Sequence, residues 1–217
     1  MLRAMEVRLD EPEHAHAALV LAHGAGAGMD HAFMRAAAEG LAQRGVAVMR
    51  YEFPYMAQGL KRPDPPAVAQ ATVREAVALA HARWPGLPLF AGGKSFGARM
   101  TSQAQAAAPL DRVRGLVFLG FPLHPAKQPA VERAKHLDAV AVPMIFLQGT
   151  RDALAEMPLV EQVVSRLGER ATLVRLEGAD HAFHVLKRSG GDDATTLAQA
   201  LDATVLWMRG EGPRVTR

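Results

Sequence analysis

The segment that most constrains this chain is Gly93-Lys-Ser-Phe-Gly97, which matches the pattern G-x-S-x-G. A buried strand over Leu87–Ala91 precedes it, and a helical run over Ala98–Ala108 follows. Such a pattern is typical of a tight strand-to-helix turn, in which flanking glycines are needed because bulk would clash. The turn exposes the serine hydroxyl at the amino end of a helix, where negative charge is stabilised. Ser95 is therefore the residue around which a site is expected.

Two nucleotide-binding interpretations of the glycines fail. Gly92-Gly-Lys-Ser95 is similar to the end of a phosphate-binding loop, but the first glycine of that motif is replaced by Pro88. His23-Gly-Ala-Gly-Ala-Gly28 does not match G-x-G-x-x-G, because Met29 occupies the third glycine position. The glycines are better explained by close backbone packing.

Short apolar segments alternate with helical patterns along nearly the whole chain, which predicts βαβ crossovers and an α/β fold. The central sheet is expected to be mostly parallel with helices on both faces, after a half-exposed edge strand at the start. Asp30 is the expected N-cap of the first helix, which ends before Gly45. Strands are predicted over Ala4–Leu9, Ala17–Ala22, Val46–Arg50, Leu87–Ala91, Gly115–Leu119, Pro143–Gln148 and Thr172–Leu176. Helices are predicted over 30–44, 73–80, 98–108, 131–137, 159–167 and 197–208.

Ligands of such sheets bind beyond the carboxyl ends of the strands. A serine hydroxyl needs a base, and the base needs an orienting carboxylate. Ser95, Asp152 and His181 follow strands in that order, so we expect nucleophile, acid and base respectively. His184 is an alternative base if its loop begins the last helix, although we favour His181. Asp180 is interpreted as a loop-stabilising carboxylate, since adjacent residues rarely face each other as acid and base.

Acyl transfer also needs two backbone N–H donors for the oxyanion. One is predicted at Phe96, next after the nucleophile, and the other at Ala25, with Gly24 as the alternative. Lys94 and Arg99 flank the serine, which would suit an anionic substrate, whereas a surface lysine and a packing arginine are the simpler interpretations. His124 is a further candidate for lining the substrate pocket.

Composition restricts the remaining classes of function. The net charge is only +3, so nucleic acid is not an expected partner. The chain has no cysteine, which excludes disulfides and thiolate metal sites and is compatible with a cytoplasmic location. No apolar run reaches the ~20 residues of a membrane span, so a soluble protein without a membrane partner is expected. Residues 1–217 are predicted to form one domain, with 210–217 as a flexible tail.

The segments 92–99, 23–28 and 178–183 together resemble the α/β-hydrolase superfamily, and within it small bacterial hydrolase-like proteins related to dienelactone hydrolases. The resemblance spans Ala17 to Met208 and implies Ser95 as nucleophile, Asp152 as acid and His181 as base. It departs from dienelactone hydrolases in having serine where they usually have cysteine. The group also resembles eukaryotic relatives that serve as subunits of larger assemblies, so the fold alone does not imply catalysis. The stretch 121–142, where many hydrolases insert a lid, contains one short predicted helix, so an open cleft with minimal or no lid is expected.

The expected function is hydrolysis of a small ester or thioester through an acyl-serine, with no cofactor and no metal. The expected partner is a small-molecule acyl substrate, and the oligomeric state is left open. Two alternatives remain: a non-catalytic interaction module on the same fold, and an acyltransferase that uses the same three residues. A haloalkane dehalogenase is disfavoured because that chemistry uses a carboxylate at position 95.

Overall fold

A seven-stranded sheet forms the centre of the protein, as seen in a computed structural model that describes residues 5–186 and 191–211. The strands run in the order β1-β3-β2-β4-β5-β6-β7, and all neighbours are parallel except β1, which is antiparallel to β3. Their bounds are β1 Val7–Asp10, β2 Ala17–Ala22, β3 Val46–Tyr51, β4 Leu89–Lys94, β5 Val113–Leu119, β6 Met144–Gly149 and β7 Ala171–Leu176.

Helices cover both faces of this sheet. They are α1 Ala32–Ala42, α2 Pro54–Ala57, α3 Pro66–Arg83, α4 Phe96–Ala107, α5 Met157–Leu167 and α6 Asp193–Met208, with 3₁₀ helices at Glu132–Ala139 and Gly168–Arg170. Helices α1 and α6 pack on one face, and α3, α4 and α5 pack on the other. The mostly parallel α/β architecture predicted from the sequence is confirmed.

The continuous apolar character of the central strands follows from this double cover. In β2 every residue is buried, with Ala18 and Val20 facing the core beneath α3 and α4. Leu19 and Leu21 alternate with them and face the core beneath α1 and α6. A strand buried on both faces cannot carry polar side chains on alternate residues, so it has no period-two pattern.

The predicted cap of the first helix is wrong. His31 is the N-cap, and its Nδ1 accepts a hydrogen bond from the Phe33 N–H at 3.2 Å. Asp30 instead lies 3.5 Å from Arg50 Nη1 and 3.3 Å from Arg8 Nη2. The carboxylate of Asp30, which the local sequence predicted to cap the helix, therefore belongs to an ion-pair network with arginines on β1 and β3.

The connection between β5 and β6, residues 120–143, contains one 3₁₀ helix and no larger insertion. The minimal lid predicted from the sequence is thus confirmed. Among the described residues, no helix has the length and apolarity that crossing a membrane requires. Ala4 of the predicted edge strand and residues 212–217 of the predicted tail lie outside the described residues.

Candidate active site

Ser95 occupies a sharp turn between β4 and α4. Its backbone has φ 52° and ψ −109°, a region that a non-glycine residue enters only with strain. An added Cβ on either Gly93 or Gly97 would lie 2.5 Å from the carbonyl oxygen of Ala22, well inside contact distance. The two glycines are therefore required because the turn packs directly against β2, as the sequence pattern predicted.

The loop after β7 presents His181 to this serine. Ser95 Oγ lies 2.8 Å from His181 Nε2. The carboxylate of Asp180 accepts hydrogen bonds from the backbone N–H groups of Ala182 and His184, at 2.8 and 3.0 Å. Asp180 thus stabilises the loop, which is the role predicted for it.

The turn after β6 supplies the third group. Asp152 Oδ2 lies 2.6 Å from His181 Nδ1, and Oδ1 accepts the N–H of Leu154 at 2.7 Å. The side chain of Asp152 is fully buried, whereas that of His181 is 23% exposed. A carboxylate only accepts hydrogen bonds, so Nδ1 carries the ring proton and Nε2 is free to accept from the serine hydroxyl. An imidazole held in this tautomer can take a proton from Ser95.

The loop after β2 lies beside the serine. A Cβ built on Gly24 would lie 3.8 Å from the Cβ of Ser95. The ring of His23 is completely buried, and its Nδ1 donates to the Gly24 carbonyl at 2.8 Å. In a trans peptide the next N–H points the opposite way, so this bond fixes the direction of the Ala25 N–H. Within residues 5–186 and 191–211, neither this N–H nor that of Phe96 has a hydrogen-bond partner.

Comparison with known proteins gives the family. The family model described as alpha/beta hydrolase domain matches residues 15–209. The chain belongs to the α/β-hydrolase family. The resemblance inferred from the sequence motifs is therefore confirmed.

Solved structures with this fold include other α/β hydrolases. One is an α/β serine hydrolase without a lid from Xanthomonas campestris, 23% identical with a TM-score of 0.74, over 98% of this chain and 91% of that one. Another is dienelactone hydrolase from Anabaena variabilis, 20% identical with a TM-score of 0.72, over 95% and 91%. An α/β serine hydrolase homologue from Coxiella burnetii is 19% identical with a TM-score of 0.72, over 91% and 89%.

Lys94 of this α/β hydrolase contacts the loop that carries His181. Its ammonium group donates to the His181 carbonyl and lies 5.5 and 5.1 Å from the ring centroids of Phe33 and Phe183. Burial lowers the pKa of Lys94 to about 8, against the opposing effect of nearby Asp152. The contacts of this side chain support the His181 loop. A direct contact with substrate, as the sequence suggested, stays a prediction.

His124 does not line the cleft, and the prediction that it does is wrong. Its side chain is fully buried, with Nδ1 2.8 Å from the Pro125 carbonyl and Nε2 2.6 Å from Glu156 Oε2. Its backbone N–H donates to the Leu154 carbonyl at 3.1 Å. The strand-end position was predicted correctly, but the ring turns inward and joins the loop after β5 to the loop that carries Asp152.

His184, the alternative base, lies apart from the serine. Its Nδ1 is 2.9 Å from Asp193 Oδ2 at the start of α6, and this hydrogen bond raises the pKa of the exposed imidazole. The structure therefore brings His181, and not His184, to Ser95.

Gln148 is a site residue that the sequence interpretation missed. It is completely buried at the end of β6, and its Nε2 donates to Asp152 Oδ2 at 2.6 Å. Its Oε1 accepts the N–H of Phe121 at 2.9 Å. The sequence signal that could have found it is a lone polar residue at the end of an otherwise apolar strand. When such an amide is buried, its N–H₂ and its carbonyl oxygen both need hydrogen-bond partners.

The described residues contain no group of three or more histidine, cysteine, aspartate or glutamate side chains arranged to hold a metal ion.

Proposed function

We propose that this α/β hydrolase cleaves a small ester or thioester through a covalent acyl-serine. The observation that supports it most is the continuous hydrogen-bonded chain from Ser95 Oγ through His181 to Asp152, with distances of 2.8 and 2.6 Å. A serine hydroxyl is activated when a base within this reach is itself oriented by a buried carboxylate.

In the first half of the proposed reaction, His181 Nε2 takes the proton of Ser95 as Oγ attacks the acyl carbon. Asp152 keeps the proton on Nδ1 and stabilises the imidazolium that forms. The oxyanion of the tetrahedral intermediate accepts hydrogen bonds from the N–H groups of Ala25 and Phe96. His181 then gives its proton to the leaving alcohol or thiol as the bond to the acyl carbon breaks.

In the second half, water replaces the leaving group. His181 takes a proton from the water as its oxygen attacks the acyl-serine, and returns that proton to Ser95 Oγ when the ester bond breaks. The free acid leaves and the serine is restored. Transfer to an alcohol or amine instead of water uses the same steps, and products formed with added methanol distinguish the two activities.

Replacing the nucleophile tests the proposal. Ser95→Ala is expected to lower hydrolysis of 4-nitrophenyl acetate by about 10³-fold or more, because the acyl acceptor is removed. The variant should also lose covalent labelling by a fluorophosphonate, mapped by mass spectrometry to the peptide containing position 95. Ser165→Ala, on the exposed surface of α5, is the matched control and should keep both.

Two outcomes would contradict the proposal. Undiminished turnover in the Ser95→Ala variant would show that Ser95 is not the nucleophile. A wild-type protein that neither hydrolyses esters nor labels at position 95 would favour the non-catalytic interaction module.

The proposed place of action is the cytoplasm. A chain without cysteine has no disulfide to form or lose, which suits a reducing compartment. Fractionation of cells that express the tagged chain tests this directly.

A further inference from the structure

Arg99 is a partly buried cation without a counter-charge. It lies one turn beyond the nucleophile on α4, where its N–H donates to the Ser95 carbonyl at 3.1 Å. Its guanidinium Nε is buried and has no hydrogen-bond partner. Within the described part of the chain, no carboxylate forms an ion pair with it. A buried charged donor without a hydrogen bond costs free energy, so a ligand that supplies an acceptor to Arg99 Nε would be favoured.

A second arginine lies opposite. The 3₁₀ helix Glu132–Ala139 packs on α4, and the contact is marked by Ser102 Oγ, 2.7 Å from His136 Nε2. Arg133 precedes His136 by one 3₁₀ turn, just as Arg99 precedes Ser102 by about one α turn. The two guanidinium groups lie close enough that repulsion by Arg133 adds to burial in lowering the pKa of Arg99, and the charge of Arg99 likewise adds to burial in lowering the pKa of His136.

The carboxylates nearest to Arg133 in the chain are already engaged. Glu132 pairs with Lys135 at 2.6 Å, and Asp138 pairs with Arg166 at 2.9 Å. Arg133 itself forms no ion pair among residues 5–186 and 191–211. Two arginines side by side without an anion are unfavourable unless something else supplies the negative charge.

The direction of the Arg99 side chain links this pair to the reactive serine. Side chains on a helix lean toward its amino end, and residues four apart lie on one face. Helix α4 begins directly after Ser95, so a side chain at position 99 leans toward the end of the helix that carries the serine.

We propose that Arg99 and Arg133 form a subsite for an anionic oxygen group, a carboxylate or a phosphate, carried by the substrate. The inference rests on the proposed function and narrows its substrate class to esters or thioesters that bear a second, negatively charged group a few bonds from the scissile carbonyl. Guanidinium groups suit this task because they bind carboxylate and phosphate oxygens in pairs of parallel hydrogen bonds.

A matched pair of substrates tests the subsite. The 4-nitrophenyl monoester of glutaric acid carries a free carboxylate, and 4-nitrophenyl pentanoate has the same chain length without it. The wild type is expected to prefer the glutarate ester by about 10-fold in kcat/KM, the effect of one charge-assisted contact. Arg99→Gln and Arg133→Gln should each bring the ratio of the two kcat/KM values close to one, and Arg99→Lys should restore part of it.

The control is Arg114→Gln, an exposed arginine at the opposite end of β5 from the cleft, which should keep the wild-type ratio. If one arginine variant fails to fold, the other still carries the test. A wild-type ratio near one, or a ratio that neither variant changes, overturns the subsite and leaves the proposed function standing.

Binding provides a readout that is independent of hydrolysis. Calorimetry with glutarate and with inorganic phosphate, on the wild type and on Arg99→Gln, shows which anion binds and whether Arg99 is needed. Binding that Arg99→Gln abolishes, in a protein without esterase activity, would support the subsite and contradict the hydrolase. If neither glutarate nor phosphate binds, and the ratio of the two kcat/KM values is near one, the subsite is rejected.

Discussion

At the scale of single residues, buried polar side chains hold the hydrogen-bonded groups of Ser95, His181 and Asp152 and the neighbouring loop in place. Gln148 fixes the Asp152 carboxylate, and His23 fixes the peptide before Ala25. Lys94 holds the His181 carbonyl from inside the fold. The positions of the hydroxyl, imidazole and carboxylate thus depend on buried polar side chains that are themselves hydrogen-bonded.

Lys94 gives a stability prediction with a defined sign. Its pKa is lowered from 10.5 to about 8 in the folded protein by burial. Between these two values the unfolded chain binds more protons than the folded one, so this group makes unfolding free energy rise with pH across that window. Below about pH 8 the full penalty of the buried charge is present. Lys94→Met removes the penalty, at the expense of the bond to His181.

The measurement is urea unfolding of wild type and Lys94→Met at several pH values from 7.5 to 10.5. The variant is expected to lose relative stability as pH rises, by on the order of 1 kcal/mol per unit of pKa shift. The exposed Lys61→Met is the control and should show a difference that does not change with pH. A flat difference for Lys94→Met would contradict the prediction.

The sequence predicted the positions of some site residues correctly and of others incorrectly. Ser95, Asp152 and His181 follow strands, and strand ends can be recognised from local patterns. His124 follows a strand equally well, yet its ring turns toward Glu156. The direction of a side chain at a strand end depends on which neighbouring loop offers a partner, and that information lies far away in the chain.

At the scale of elements, the turn at Ser95 depends on close contact between α4 and β2. Gly97→Ala would place a methyl group 2.5 Å from the Ala22 carbonyl oxygen, which neither backbone can avoid without moving. We expect a loss of about 1–3 kcal/mol in unfolding free energy, as is usual for overpacking. Labelling of Ser95 by a fluorophosphonate should also slow, because the turn sets the position of the hydroxyl.

A surface glycine provides the comparison for this prediction. Gly86 has nothing within 4 Å of an added Cβ, so Gly86→Ala should change unfolding free energy by less than about 0.5 kcal/mol. Chemical denaturation of both variants measures the contrast. Equal stability of Gly97→Ala and wild type would mean that the turn tolerates separation from β2.

Helices and strands were predicted best where the local sequence pattern alone specifies them. The buried strands and long helices were recognised because apolar periodicity alone specifies them. The four-residue helix α2 was missed inside the proline-rich loop 52–66, since so short an element has no periodicity to detect. The Asp30 cap was wrong because Arg50 on β3 competes for the carboxylate.

At the scale of the whole molecule, the parallel sheet brings distant parts of the chain to one edge. Strands β2, β4, β6 and β7 occur across the sheet in the same order as along the chain, and they end at the segments that carry Ala25, Ser95, Asp152 and His181. That convergence follows from topology and was predicted from the βαβ pattern.

The connection over 120–143 is fastened to the body of the protein rather than free to swing. His136 is joined to Ser102 on α4, Asp138 is paired with Arg166 on α5 at 2.9 Å, and the Val140 carbonyl accepts from Arg170. Ala134 and Leu137 are buried in the core beneath. The His181 side chain is 23% exposed with this connection in place, so access to the site requires no opening of it.

This fastening predicts an esterase without interfacial activation. A lid that opens on a lipid surface makes the rate step upward when a substrate passes its solubility limit, whereas a fixed connection leaves a hyperbolic dependence on dissolved substrate. Initial rates with 4-nitrophenyl octanoate, measured below and above its solubility limit, are expected to show no step. The Ser95→Ala variant gives the background rate of hydrolysis that does not depend on Ser95. A several-fold jump above that background would show that the 120–143 connection moves as a lid, and the contacts of His136, Asp138 and Val140 would then have to break during turnover.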